Sequence, residues 1–466
     1  MAEVAIFNKL SNIFRVPDLR KRVLFTLGLL AVYRIGGHIP TPGINGDRLA
    51  QFFEQNRGSV LGFVDLFSGG NLRRLTIFAL GIMPYITASI ILQLLTVVYE
   101  PLAKLQKEGE LGRKKITQWT RYLTVILSSV QSFGIAISLQ KAGDFVNTPG
   151  PGFILMTMLT LTTGSAFIMW LGEQITERGI GNGMSLLIFA GIVVGLPRGV
   201  IDLYQKAQTS AWGVFTAPAI IMLLVLMIAV VAFIVFVERS ERRIPVQYAK
   251  RVVGRRVMGG QSSYLPLRVN SGGVIPPIFA SSLLAFPATI ALVLGAKYAF
   301  IKTFANAVKW GEPLYTVLYV TMILLFAFFY VGIVFNPTEL ADNMRKNGGF
   351  IPGIRPGRTT SEYVSRILKR LTLIGAIYLA LVCLLPEWMI AGIHLNHLPV
   401  WLGGNWFDRH FPQFILNGLG VQFYFGGTSL LIVVGVAMDT VQQLEAQLVM
   451  RNYEGFARKG RFRGRR

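Results

Sequence analysis

The chain has 466 residues, 52% of them hydrophobic and 15% charged, and its 46 Lys and Arg residues outnumber its 23 Asp and Glu residues. Soluble proteins carry about 25% charged residues, so this composition excludes an ordinary soluble globular protein and predicts a polytopic membrane protein. The single cysteine, Cys383, excludes an internal disulfide and a cysteine-rich metal site.

Ten apolar runs are candidates for membrane-spanning helices, each of which needs about 20 residues. They cover residues 22–38, 76–98, 120–139, 153–172, 183–197, 214–237, 273–295, 314–335, 369–391 and 426–446. The first run follows basic residues as a signal peptide would, but Arg34 interrupts it and no small-residue cleavage site follows. We therefore interpret it as a retained first span, and the fold class as an all-α polytopic membrane protein.

The sequence VDLFSGGNLRRL at residues 64–75 precedes the second span and is unusual for a loop. It starts with apolar residues, is broken by Gly69 and Gly70, and carries Arg73 and Arg74, after which no charged residue occurs before Glu100. The stretch is too short to cross a bilayer. We interpret it as a re-entrant or interfacial segment rather than a plain loop.

Sequence motifs for enzymatic chemistry are missing. No G-x-x-x-x-G-K-[ST] phosphate loop occurs in the sequence. The glycine-rich stretch ERGIGNGMS at residues 177–185 connects two predicted spans, and its glycines do not have the G-x-G-x-x-G spacing. His394 and His397 have no Cys or carboxylate nearby, so we do not expect a metal site there. H-E-x-x-H and G-x-S-x-G motifs are absent as well. We therefore expect no catalytic residue, no bound metal and no cofactor.

The centres of the spans contain no ionisable side chain, although ion-coupled transporters usually bind their ions through such groups. Glycine and proline interrupt two spans, at Gly81 and Pro84 in the second and at residues 272–277 at the start of the seventh. Such breaks are tolerated where neighbouring helices or a water-filled cavity satisfy the freed backbone groups. The residues alone therefore predict a cavity-lining bundle, either a channel or a transporter.

Basic residues are distributed unevenly between the loops: 34 of the 46 lie in both tails and alternate loops on one side, and 11 lie on the other. Because cytoplasmic loops carry the excess of Lys and Arg, we expect both termini to be cytoplasmic. Two loops on that side, 238–272 and 336–370, carry eight and seven basic residues. They are either solvated orientation signals or a docking platform for an acidic partner such as rRNA.

Five stretches resemble the SecY family, whose members are the central pore subunit of the bacterial protein-conducting channel. They are FSGGNLRRLTIFALGIMPYITASIILQLL (67–95), WLGEQITERGIGNGMS (170–185), GVIPPIFASSLLAFPATI (273–290), FNPTELADNMRKNGGFIPGIRPG (335–357) and YFGGTSLLIVV (424–434). The resemblance implies ten transmembrane helices in two pseudo-symmetric halves around a central hourglass pore with a plug helix. The expected parts are an N-terminal tail 1–21, halves 22–204 and 205–447, and a basic tail 448–466.

The resemblance also implies roles for individual residues. The plug would be residues 63–74, including Phe63, Val64, Leu66, Phe67, Gly69, Gly70, Leu72, Arg73 and Arg74. An apolar pore ring would comprise Ile82, Ile86, Met184, Ile188, Ile278 and Ile432. Met184 stands where a β-branched residue is more usual, which predicts a softer seal because methionine is flexible.

The family resemblance also implies a lateral gate. One wall of the gate would be the second and third spans and the other wall the seventh and eighth spans, with Thr87 and Phe286 lining it. Residues expected to dock the SecA ATPase or the ribosome are Lys250, Arg251, Arg255, Arg256 and Arg355. Other expected partners are the membrane subunits SecE and SecG, translocating polypeptides, signal sequences and the lipid bilayer. The expected location is the bacterial inner membrane.

Two other classes of function remain open at this point. A secondary transporter would fit ten spans with helix breaks, but its solute site should place polar groups where the ring isoleucines stand. A membrane scaffold would use the basic loops only to recruit ribosomes, and it would have no pore to seal.

Overall fold

The computed structural model describes most of the apolar runs and part of the loops. The described residues are 16–55, 65, 68–142, 145–208, 216–248, 251–253, 256–258, 262–294, 307–308, 312–391 and 427–459. His394 and His397 lie outside them.

A helix overlaps each of the ten predicted spans. In chain order these helices are α1 (Pro17–Gly36), α3 (Met83–Val98), α5 (Glu110–Ala142), α6 (Pro151–Arg178), α7 (Gly183–Gln208), α8 (Thr216–Arg239), α9 (Ile275–Leu294), α10 (Pro313–Val334), α12 (Arg358–Ala391) and α13 (Gly427–Lys459). Within the described ranges, three further helices lie in the connections: α2 (Gly46–Gln55), α4 (Glu100–Lys107) and α11 (Pro337–Lys346). The prediction of a polytopic helical bundle is confirmed, and ten helices agree with the family architecture.

Length and composition mark seven helices of the described ranges as able to cross a membrane, or eight if α3 and α4 are one span bent by 104°. Several helices are longer than the predicted spans: α5 begins at Glu110, α12 at Arg358, and α13 continues to Lys459. The predicted bounds followed hydropathy, which detects the apolar part of a helix and not its polar extensions.

The second span differs from its predicted bounds, because it was expected to begin at residue 76 and the helix begins only at Met83. Residues 72–82 form successive turns instead. Gly81 has a φ of +56°, a left-handed conformation that interrupts a helix, and Pro84 follows at the start of α3. Of the two breaks that the sequence placed inside the span, Gly81 lies before the helix and Pro84 lies in its first turn.

Contacts divide the chain into two compact units. One comprises Met1–Arg198, Ala285–Lys309 and Ile432–Arg466, and the other comprises Gly199–Leu284 and Trp310–Leu431. In the first unit, α5 packs against both α3 and α6, and α1 packs against α6. Thr124, Ser128 and Ser132 form a buried seam on α5, and their hydroxyls donate to carbonyls in the preceding turn of their own helix. Small side chains of this kind let helices approach closely.

The second unit contains a small β-structure that the sequence analysis did not predict. Strand β1 (Glu241–Tyr248) pairs antiparallel with β4 (Ser262–Arg268) on one side and with β5 (Gly349–Phe350) on the other. Strands β2 (Arg251–Val253) and β3 (Arg256–Met258) form a separate two-stranded sheet. Alternating buried residues at Ile244 and Val246 show that one face of β1 is covered.

The two basic loops share one hydrophobic core, although they are about 70 residues apart in sequence. The core consists of Ile244, Val246, Leu267, Met344, Ile351, Val364, Leu368 and Leu371. Helix α11 contributes Met344 and is capped by Asn336, whose side-chain oxygen accepts from the backbone N–H groups of Thr338 and Glu339. We call this part, formed by the described residues of 238–270 and 336–370, the basic subdomain.

We expect Leu267→Ala to loosen both basic loops together, because Leu267 is fully buried at the centre of their shared core. A cavity of this kind costs about 2–5 kcal/mol. Hydrogen exchange should accelerate in β1 and β4 and also in α11 and the start of α12. Tyr264→Ala on the same strand is the control, since Tyr264 is 61% exposed. Acceleration confined to residues 241–268 would contradict the shared core.

Candidate functional site

A compact hydrogen-bonded turn holds the segment that precedes α3. The backbone carbonyl of Asp65 accepts from the N–H of Gly70 at 2.9 Å and from the Ser68 hydroxyl at 2.9 Å. The Asp65 carboxylate accepts from the backbone N–H of Arg73 at 2.9 Å. Ser68 Oγ in turn accepts from the N–H of Leu72 at 3.2 Å. These bonds satisfy backbone groups that a helix would have satisfied internally.

The Gly69–Gly70 pair allows this turn to pack directly on a helix backbone. Both residues have positive φ angles, +72° and +80°, which glycine adopts at little cost. A Cβ on Gly69 would lie 2.8 Å from the Cα of Gly191 in α7. The turn therefore contacts α7 glycine on glycine, and any larger side chain at position 69 would separate them.

Helix α1 contacts the same turn from another direction. The buried Tyr33 hydroxyl lies 3.4 Å from the Ser68 carbonyl, to which it donates, and the Tyr33 ring stacks on Phe78 at a centroid distance of 5.8 Å. Phe78 also stacks on Phe167 of α6, at 6.0 Å. The chain just after the predicted plug is therefore fixed between α1 and α6 by aromatic side chains.

A short backbone ladder completes this anchoring. The N–H of Thr41 donates to the carbonyl of Leu75 at 2.9 Å, and the N–H of Ile77 donates to the carbonyl of Ile39 at 3.0 Å. Leu75 has a φ of +39°, which is strained for a residue with a branched side chain. Its side chain is buried in a cluster with Leu49 and Leu72, and this burial offsets the strain.

The predicted plug residues are only partly described. Phe63, Val64, Leu66 and Phe67 lie outside the described residues, while Gly69, Gly70, Leu72, Arg73 and Arg74 lie within them. Leu72 is buried, Arg73 is half-buried and Arg74 is exposed. Among the described residues, Asp65 is helical and residues 68–75 form turns. The assignment of a plug to residues 63–74 stays a prediction.

The predicted ring residues lie on four helices or at their ends. Ile82, Ile86, Ile188, Ile278 and Ile432 are buried, and Met184 is half-buried. Ile82 is the N-cap residue of α3, and its carbonyl accepts from the N–H of Ile86 at 3.1 Å, so the expected i, i+4 relation is present. Ile278 belongs to a different compact unit from the other five. Their assembly into a ring stays a prediction.

Gly172 of α6 is a residue that the sequence analysis missed. A Cβ at this position would overlap the sulfur of Met184, and a Cβ on Gly183 would overlap the Gly172 carbonyl. The turn between α6 and α7 is therefore tightly packed, and Asn182 caps α7 by accepting from the N–H of Met184 at 3.1 Å. Its glycines serve close helix packing, as small residues do in membrane helices, but no local spacing marks Gly172, because its partner Gly183 is eleven residues away in sequence.

The two predicted gate residues differ in how well they are described. Thr87 is half-buried on α3, and its hydroxyl donates to the carbonyl of Met83 at 3.0 Å. Phe286 lies in α9, but the structure describes only its backbone. The lateral gate stays a prediction.

Three of the five predicted docking residues, Arg251, Arg256 and Arg355, fall in the basic subdomain. Lys250 and Arg255 lie outside the described residues, and Arg251 and Arg256 lie on β2 and β3. In the register of this hairpin Arg251 faces Met258 and Arg256 faces Val253.

Arg355 is exposed in the turn between β5 and α12. The hydroxyl of Thr360 donates to the Arg355 carbonyl at 2.8 Å and fixes the turn. Further exposed basic residues of the subdomain include Arg242, Arg268, Arg345, Lys346 and Arg358. Within the described ranges no group of three His, Cys, Asp or Glu residues could hold a metal ion.

We expect Gly69→Ala to destabilise residues 68–81 by more than the backbone strain of an alanine at positive φ. Alanine costs about 1–2 kcal/mol in this conformation, and at position 69 it also meets Gly191. Gly109→Ala is the matched control, because Gly109 has a φ of +78° with nothing within 4 Å of its Cβ position. Hydrogen exchange of residues 68–81 should rise in the first variant only. Equal stability losses in both variants would exclude a close contact with α7.

Known proteins with the same arrangement are translocation channels. Curated relatives include the protein translocase subunit SecY of Escherichia coli strain K12, 47% identical over 96% of both chains. The protein of the same name from Pseudomonas aeruginosa is 46% identical over all of this chain and 98% of its own. That of Streptomyces galbus is 48% identical over 96% and 98%.

Solved structures agree in fold at lower sequence identity. One described as the structure of a protein conducting channel has a TM-score of 0.62 at 19% identity over 92% of each chain. A structure of Sec61 in a canine ribosome–channel complex has a TM-score of 0.57 at 18% identity, again over 92% of each chain. The SecY family model matches residues 76–441. Together with the relatives at 46–48% identity over nearly the full length, this match shows that the chain belongs to the SecY family.

Proposed function

We propose that this chain is the pore subunit of a protein translocase, with residues 63–74 as its plug and the six apolar positions 82, 86, 184, 188, 278 and 432 as its pore ring. The chain is a channel subunit and not itself an enzyme. It passes unfolded secretory polypeptides across the membrane and releases transmembrane segments sideways into lipid. Its own sequence holds no nucleotide site, so the energy for transport comes from a bound partner.

The observation that supports this proposal most directly is the burial of the segment before α3. Ser68, Asn71, Leu72 and Leu75 are each at most 5% exposed, whereas a loop preceding a span would lie on the surface. The segment is held by side-chain hydrogen bonds and a glycine contact, which can be broken and re-formed without unfolding a helix. Such a segment is suited to a movable seal.

An apolar ring fits the transport of arbitrary sequences. Apolar side chains dewet a narrow pore and so oppose ion flow, and they make no lasting polar bond with a passing chain. A ring that bound one sequence strongly would retain it. Buried isoleucines at five of the six positions are compatible with this role, whereas a transporter for a small solute would need polar groups there.

Lateral release can be explained by partition between the pore and lipid. Ten leucines favour the bilayer by about 3–6 kcal/mol, and one or two central charges, at about 2.5–3.5 kcal/mol each, can cancel this preference. A gate between the second and third spans on one side and the seventh and eighth on the other, lined by Thr87 and Phe286, would then sort membrane segments from secreted ones without a chemical step.

The proposal includes partners and an orientation. SecE and SecG would be the membrane subunits, and SecA or the ribosome would bind residues 250, 251, 255, 256 and 355 of the basic subdomain. The solved Sec61 neighbour is described as part of a ribosome–channel complex, which supports the ribosome as a partner. The excess of basic residues on one side supports cytoplasmic termini in a bacterial inner membrane.

Reconstitution tests transport directly. Sealed vesicles containing the chain and SecE, supplied with SecA, ATP and an exported precursor protein, should render the precursor resistant to external protease until detergent is added. Vesicles without ATP are the control for binding alone. If the precursor stays accessible while the same SecE and SecA support transport through the Escherichia coli relative, the chain does not act as the proposed pore.

Charge reversal at Arg355 tests the docking surface. We expect Arg355→Glu to weaken ribosome binding about tenfold and to lower the salt dependence of binding by about one counterion, because a phosphate contact is replaced by repulsion. Arg48→Glu on α2 makes the same charge change in a loop predicted to lie on the opposite side. An equal loss of affinity in both variants would contradict the docking surface or the orientation.

A further inference from the structure

The basic subdomain leaves the membrane helices through a narrow base. Helix α8 ends at Arg239, and β1 begins two residues later, at Glu241. The returning strand β4 pairs with β1 down to Arg268 opposite Glu241, and the N–H of Val269 donates to the carbonyl of Ser240 at 3.0 Å. The outgoing and returning chains are therefore bonded together up to the residue that precedes Asn270.

Asn270 ties this base to both neighbouring helices. It is 5% exposed, and its side-chain amide donates to the carboxylate of Glu238 on α8 at 2.6 Å and to the carbonyl of Gly273 at 3.1 Å. Gly273 lies two residues before α9 and has a φ of +58°. One side chain thus uses both of its N–H groups to hold the last turn of α8 and the segment that leads into α9.

Helix α12 limits movement at the same point. A Cβ on Gly375 would lie 2.7 Å from the carbonyl oxygen of Val269 and 3.4 Å from the Cα of Asn270. A Cβ on Gly272 would lie 3.1 Å from the ring of Pro276 in the first turn of α9. The connection from β4 to α9 therefore has little slack, so that displacement of the strand must move the helix or break the Asn270 bonds.

We propose that Asn270 is a positioning residue that couples the basic subdomain to α9, so that a partner bound to the subdomain shifts the start of α9. The inference rests on the proposed function, in which α9 is the seventh span and lines the gate. Asparagine suits this role because it offers two donors to two acceptors. Aspartate of the same shape offers no donor and would place a second carboxylate beside Glu238.

Binding and helix position must then influence each other reciprocally. A partner changes the equilibrium of α9 only to the extent that it binds one arrangement better than another. If Asn270 carries this coupling, replacing it should abolish the shift of α9 on partner binding and leave the affinity for the partner unchanged. A role limited to folding would instead impair docking and response together.

A spin label on α9 measures this response. The full chain with Leu283→Cys is spin-labelled, placed in lipid nanodiscs with SecE and titrated with purified ribosomes. Position 283 is chosen because Leu283 is partly exposed, whereas the native Cys383 is buried. Ribosome affinity and the change in the label spectrum at saturation are recorded for four chains: the labelled parent, Asn270→Asp, Asn270→Asp with Glu238→Gln, and Ser271→Ala. Ser271→Ala is the control, because it removes a neighbouring bond from the Ser271 hydroxyl to the Arg268 carbonyl without touching Glu238.

We expect the parent and Ser271→Ala to show the same spectral change on ribosome binding. Asn270→Asp should bind ribosomes within about twofold of the parent but show at least a fivefold smaller spectral change. Adding Glu238→Gln should restore at least half of the change, because the glutamine amide can donate to the new carboxylate and the repulsion is removed.

The possible failures are distinguishable. Ribosomes that bind the parent without changing the label spectrum would overturn the coupling and leave the proposed function standing. A full spectral change in Asn270→Asp would also overturn the coupling. A loss of ribosome affinity above tenfold in that variant would overturn it as well, because Asn270 would then act in folding only. A parent that binds no ribosomes would overturn the docking part of the proposed function, and the coupling with it.

Discussion

Backbone polar groups that enter a membrane without a helix must be hydrogen-bonded by the protein itself. Residues 68–82 form turns packed against α1, α6 and α7, and the protein itself supplies their hydrogen-bond partners. Asp65 and Ser68 supply side-chain partners, and residues 39–41 supply a short backbone ladder. The positions of the helices around the segment follow from satisfying these groups.

The same constraint explains why glycine is used so heavily at this place. Gly36 makes room for the Phe78 ring and Gly164 for the Ile77 carbonyl, and Gly69 and Gly191 bring two backbones into contact. Each removes the side chain that would hold the turn away from its hydrogen-bond partners. In the second unit the basic subdomain solves a different problem, because its backbone pairs in strands and its core is apolar, so its charges can remain on the surface.

Sequence patterns predicted the helices well and the connections poorly. A helix overlaps each of the ten apolar runs, because a span needs about 20 apolar residues in sequence; length and composition mark seven or eight of the described helices as able to cross a membrane. The late start of α3 at Met83 was missed, since residues 76–82 are as apolar as the helix that follows and only the φ of Gly81 distinguishes them. The pairing of β1 with β5 was missed as well, because it joins residues about 100 positions apart and is fixed by a tertiary core around Leu267.

The roles predicted for individual residues were implied by the family resemblance and not by local sequence patterns. Nothing in the local sequence distinguishes Ile82 or Ile432 from any packed isoleucine. Gly172, Gly191 and Asn270 carried no signal that could be read in isolation, because their importance lies in which atoms approach them.

The shortness of α3 also affects the surrounding lipid. A helix of 16 residues is about 24 Å long, whereas the hydrocarbon core of a bilayer is about 30 Å thick. Val97 and Val98 are exposed at its end, where α4 turns away by 104°. Lipid tails beside a span of this length shorten or tilt, at a cost of a fraction of a kcal/mol per ångström, and we therefore expect the bilayer to thin along this flank.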